Sequence, residues 1–228
     1  MNRMKRILKI ERLLFPGTDI WLKDQSVHFR WLATLCLLSV ASLSALTVLM
    51  PNVWLRMAIF YLVSCPLVIF TTKIQWADLV LLQWRDLALG PSAAAILYAL
   101  GWAGFTVLGL LLPGTQKQTA EIYAWKDQVS VPLAILLLVF VIIPGEEILW
   151  RGAVTVPLAA ALGPIAGSVA GGIVFAIAHI ATGSALIVMA ALAMGTFWGL
   201  MTLRWRSLIP AGLCHLIWNL SVLFIVPY

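Results

Sequence analysis

Three stretches of this chain place ionisable or amide side chains in sequence that is otherwise almost wholly apolar: Glu146-Glu147-x-x-x-Arg151, Phe175-x-x-x-His179 and His215-x-x-x-Asn219. Glu147 and Arg151 are four apart, so on a helix they share a face and can pair. Glu146 is turned from Glu147 by ~100° and has no such partner. His215 and Asn219 again share one face, and His179 stands one turn beyond Phe175. Charged and polar groups inside apolar segments are costly, and by default they mark function. A carboxylate, two imidazoles and a carboxamide brought to one cavity suffice for acyl hydrolysis. The carboxylate removes a proton from water, a histidine helps to hold that water, and histidine and amide N–H groups bind the developing oxyanion. Trp150, Phe175 and Trp218 are expected to pack beside these groups rather than react.

The elements that must position them follow from composition. Of the 228 residues 62% are hydrophobic and 11% charged, and mean hydropathy is +1.01. Soluble domains carry about 25% charged residues, so too few polar side chains are present to cover a water-facing surface. The expected fold is all-α, a polytopic bundle of about seven to eight transmembrane helices. Runs near the ~20 residues that cross a bilayer occupy 31–50, 57–72, 92–112, 130–150, 165–181, 184–203 and 207–226. Residues 73–91 read as interfacial, and 152–164 as a re-entrant turn or a helix extension. Cys36, Cys65 and Cys214 lie in apolar runs, where buried thiols are expected.

Residues 1–30 mix Ile7, Leu8, Ile10, Leu13, Leu14 and Phe15 with Arg3, Lys5, Arg6, Lys9, Arg12, Lys23 and Arg30. That pattern suits an amphipathic helix on the membrane surface, stopped near Pro16-Gly17. The net charge of +6 is therefore assigned to membrane topology rather than to nucleic acid. With the amino terminus cytoplasmic, Lys73, Arg85, Arg204 and Arg206 fall on the inner side. Only Arg56, Lys117 and Lys126 fall outside. The expected location is a bacterial inner membrane. The chain divides into the surface segment 1–30, amino-terminal spans over 31–91 and a helical core over 92–226. One tension arises: a span starting at Ile165 puts His179 ~21 Å from the inner surface, against ~10–12 Å for His215. A late start, a tilt or a break near Gly171-Gly172 is expected to reconcile them.

The three motifs, in this order and on separate spans, resemble those of the CPBP (CAAX-processing and bacteriocin-processing, or Abi) intramembrane glutamic proteases, which include CAAX prenyl endopeptidases. The resemblance covers roughly 92–226. It implies that Glu146 and His179 activate water, that His215 and Asn219 form the oxyanion hole, and that Glu147 and Arg151 support the site. It implies no cofactor, a lipid setting, and a membrane-associated protein or peptide as substrate. Other readings of the same residues are a zinc-dependent membrane protease, a transporter or proton relay, and a non-catalytic scaffold or immunity-type protein. Against zinc stands the missing HExxH motif, and against transport the lack of a sequence repeat.

Overall fold

The structure, a computed structural model, describes residues 10–111 and 114–228, and these are helical with short connections. The elements are α1 Thr18–Lys23, α2 Phe29–Leu49, α3 Val53–Thr71, α4 Trp76–Leu79, α5 Asp86–Leu111 and α6 Thr115–Tyr123. A 3₁₀ turn, Ala124–Gln128, leads into the long helix α7, Val131–Leu162. α8 Pro164–Ala178, α9 Ala185–Trp205 and α10 Ile209–Leu220 complete the chain, with α10 prolonged by a π-helical turn, Ser221–Ile225. Among the described residues, six helices are long and apolar enough to cross a membrane, and Ile209–Ile225 is a shorter apolar one. All seven expected spans are therefore present as helices in a polytopic bundle.

Helix ends differ from expectation where caps extend them. α3 starts at Val53 because the Asn52 side chain accepts the Leu55 N–H at 3.1 Å. α5 starts at Asp86 rather than near residue 92, with an acidic residue at the end where the helix dipole favours it. The segment expected to be interfacial, 73–91, therefore gives up its residues from 86 onward to α5. α7 carries two π-helical segments, Leu138–Ile142 and Glu147–Thr155. Each ends just ahead of a proline, Pro144 or Pro157. A proline inside a helix lacks the N–H and crowds the preceding turn, and widening the ladder to i→i+5 accommodates it. The segment 152–164 is a helix extension, since α7 runs to Leu162 and stops at Gly163, whose φ of +89° reverses the chain.

That extension resolves the depth conflict, and the expected break near Gly171-Gly172 is absent. Gly163 is the turn of an α7–α8 hairpin, with Glu146 17 residues before it and His179 16 after. The two sit level, about 24 Å from the turn. Trp198 on α9 and His215 on α10 are level in the same way about the shorter α9–α10 connection. The α7–α8 hairpin therefore projects farther than its neighbours. Gly171 and Gly172 do not break α8; they let it approach other helices. A Cβ on Gly172 would come within 2.9 Å of the Thr196 backbone nitrogen and 3.0 Å of the Leu192 carbonyl oxygen on α9. α8 packs more extensively on α9 than on any other helix. Gly172→Val should therefore lower stability by about 1–3 kcal/mol through overpacking, measured as an earlier melting transition in detergent.

The amino-terminal segment docks on the projecting hairpin. Residues 10–14 are helical and Gly17 turns the chain with φ +72°, as expected near Pro16-Gly17; the earlier part of the amphipathic segment lies outside the described residues. Phe15 and Leu22 pack against Val156, Ala159 and Leu203. Thr18 donates its hydroxyl to the Leu203 carbonyl at 3.2 Å. Leu13, Leu14 and Ile20 stay exposed. Cys65 and Cys214 are buried and Cys36 half-buried, all as free thiols.

Candidate active site

α7 supplies Glu146, Glu147 and Arg151 from its second π segment and the turn before it. His179 caps the end of α8, and His215 and Asn219 lie one turn apart on α10. The expected residues are brought together around one core. Glu146, Glu147, Arg151 and His215 are each at most 6% exposed, so their charges must be compensated within the protein. His215 links the two carboxylates. Its Nδ1 is 2.9 Å from Glu147 Oε1, and its Nε2 is 3.4 Å from Glu146 Oε2. The same Glu147 oxygen lies 3.7 Å from Arg151 Nη1.

Arg151 is held mainly by aromatic faces. Its guanidinium carbon lies 4.4 Å from the Phe175 ring centroid and 5.0 Å from that of Trp198. Neither Nη1 nor Nη2 has a hydrogen-bond partner among the described residues. Trp198 also stacks on His215, with centroids 3.5 Å apart and planes at 21°, which fixes the imidazole between the carboxylates. His179 is fixed differently: its Nδ1 bonds the Phe175 carbonyl at 2.8 Å. A carbonyl only accepts, so Nδ1 carries the proton and Nε2 keeps its lone pair. Asn219 spends one amide hydrogen on the His215 carbonyl at 3.2 Å, and among the described residues the other has no acceptor.

A cavity of about 670 Å³ opens against this cluster. Glu146, His179, His215 and Asn219 line it, whereas Glu147 and Arg151 do not. The six residues thus divide into four that can meet a ligand and two that stand behind them. Most of the remaining lining is apolar, including Leu97, Phe105, Leu138, Met194 and Leu223. Among the described residues, no three His, Cys, Asp or Glu side chains are grouped to hold a metal ion.

Two neighbours were not legible from sequence. Tyr61 on α3 is buried and accepts a hydrogen bond from Trp150 Nε1 at 2.9 Å. An indole N–H can only donate, so the Tyr61 hydroxyl proton is directed elsewhere, and the Glu146 carboxylate lies beside it. Trp198 likewise reads in sequence as one more aromatic residue in a span. Neither stands at a helical spacing from a motif that would single it out.

Fold and site together define a polytopic helical membrane protein with a buried carboxylate–histidine centre facing an apolar cavity. Residues 128–221 match the family model described as type II CAAX prenyl endopeptidase Rce1-like. That segment holds all six motif residues, and its similarity to CAAX-type intramembrane proteases agrees with the resemblance the motifs carry. No curated protein and no solved structure matches the chain.

Proposed function

We propose that the protein is an intramembrane glutamic endopeptidase that hydrolyses a peptide bond in a membrane-associated protein or peptide tail. The observation that carries this reading is the division of the site: Glu146 and His179 present acceptors to the cavity while Glu147 and Arg151 stay behind it. A water held by the Glu146 carboxylate and His179 Nε2 uses both hydrogens on acceptors. Its lone pair is then free to attack a carbonyl carbon.

The cluster is electroneutral when Glu147 is anionic, Arg151 cationic and one proton lies between Glu146 Oε2 and His215 Nε2. With that proton on His215, Glu146 is the base. On attack Glu146 takes the water proton and releases its hold on His215 Nε2–H. That donor and the free Asn219 N–H then bind the oxyanion. Collapse of the tetrahedral intermediate breaks the C–N bond, and the proton on Glu146 passes to the leaving amine.

The test compares the termini of membrane proteins in cells carrying the wild-type protein or Glu146→Gln. New termini that depend on Glu146 are expected, and identical terminal profiles would overturn the proteolytic reading.

We further propose a bacterial inner membrane location with the amino terminus cytoplasmic, from the distribution of basic residues. Ala120 and Arg204 are both exposed and fall on opposite sides in this topology. Single cysteines there should react with an impermeant reagent from the periplasm and from the cytoplasm respectively; labelling of both from one side would reverse or break the topology.

A further inference from the structure

The cavity that meets Glu146 also meets a second buried charge. Arg56, in the first turn of α3, lines it and is 7% exposed. An arginine near a helix end normally snorkels toward the headgroups. Here the way out is covered by the 3₁₀ turn Ala124–Gln128. That turn is fastened over the start of α3 by Trp54 Nε1–H to the Trp125 carbonyl at 2.7 Å, and by Val53 N–H to the Gln128 side-chain oxygen at 2.7 Å. The Arg56 guanidinium lies 6.0 Å from the Trp125 ring centroid and donates Nη1–H to the Met50 carbonyl at 3.3 Å. Its Nε–H has no partner among the described residues, and no acidic side chain there lies within ion-pair distance of it.

A buried guanidinium without an anion is costly, and inside a membrane protein such a group calls for a partner. Glu146, the acidic residue of the cavity lining, is already engaged with His215 at 3.4 Å. Lys126 lines the cavity too, so positive charge gathers near Arg56. Along α3, Arg56 stands five residues before Tyr61, whose hydroxyl lies beside Glu146. That is about 7–8 Å of helix, so an extended ligand at Glu146 reaches Arg56 within a few residues.

We infer that Arg56 forms an anion subsite that takes the terminal carboxylate of a hydrophobic peptide bound along the cavity. The assignment rests on the proteolytic reading, and it makes Arg56 a specificity residue contributed by a helix outside the family-matched segment. A carboxylate supplies the missing counter-charge and accepts the unused guanidinium hydrogens, while the apolar lining takes the side chains.

The test needs no cleavage. Blocked tetrapeptides of leucine and alanine, ending in a free carboxylate or in a carboxamide, are titrated into the full-length protein in zwitterionic-lipid nanodiscs. Binding is read from fluorescence of the cavity tryptophans, Trp54, Trp125, Trp198 and Trp218. The wild type should bind the carboxylate form about tenfold or more tightly, the scale of a charged hydrogen bond. Arg56→Met should lose that preference while keeping its carboxamide affinity, and Arg56→Lys should keep part of it. Equal affinity of the wild type for both peptides, or a preference that survives in Arg56→Met, overturns the subsite. A preference that vanishes when phosphatidylglycerol is added assigns the anion to a lipid phosphate and also overturns it. The wild-type comparison holds even if a variant fails to fold. Glu146-dependent termini in cells report separately on proteolysis, so either idea can fail alone.

Discussion

Glu146→Gln is expected to reduce cleavage by about 10²–10⁴-fold, the range for loss of a general base, while the protein inserts and purifies as the wild type does. Glutamine keeps the shape of the side chain, and its amide can still meet His215 Nε2. It also leaves the buried charge balanced. With Glu146 neutral, His215 becomes neutral, and Glu147 and Arg151 continue to offset each other at 3.7 Å. Folding should therefore be nearly unaffected, which separates this residue from its neighbour. Glu147→Gln acts behind the cavity: it weakens the acceptor for His215 Nδ1, 2.9 Å away, and removes the anion nearest Arg151. Its loss of activity should be accompanied by loss of stability. Turnover and detergent melting measured in parallel on the two variants decide between them. Full turnover by Glu146→Gln would sink the mechanism, and an inactive, fully stable Glu147→Gln beside an active Glu146→Gln would reverse the two assignments.

The parts of this site that were legible in sequence are those set by one helix. Glu147 and Arg151 share a face because they are four apart, and the same spacing aligns His215 with Asn219. What joins one helix to another has no such signature. Glu147 and His215 are 68 residues apart in sequence, so the hydrogen bond that turns His215 toward the carboxylates could not be inferred. The same holds for the ring of Trp198 on that imidazole. Helix number was readable from the length of apolar runs, but helix extent was not. The span expected over 130–150 continues to Leu162, with a widened turn ahead of each of Pro144 and Pro157. Because α7 continues, the glutamates lie deep in the bundle rather than at its inner edge. The reading of Gly171-Gly172 as a break failed for a related reason, since glycine in a helix can serve close approach as well as irregularity. Tyr61 and Arg56 show a further limit: α3 adds polar groups to the cavity from outside the motif region, and neither residue stands out in its own span.

Arg151→Ala should be the most destabilising single change at the site. Its guanidinium is 1% exposed, fills the space between Phe175 and Trp198, and faces Glu147. Removing it does two separable things. It strips the cation from a buried carboxylate, which costs about 3–5 kcal/mol when one partner of a buried pair is lost, and it opens a cavity between two aromatic rings. For a chain of this size such a loss corresponds to a fall in melting temperature of roughly 6–20 °C. Arg151→Met fills more of the space and isolates the electrostatic part. Adding Glu147→Gln to Arg151→Met then removes the stranded charge, so the double variant should be more stable than Arg151→Met alone, although it remains poorly active because His215 has lost its anionic anchor. The coupling energy from this cycle reads the pair directly. Additive single effects would mean that Arg151 contributes through its aromatic contacts alone and that Glu147 is compensated by His215. A rescue of stability without a rescue of turnover would place the pair where the cavity lining already suggests, behind the catalytic groups and holding them.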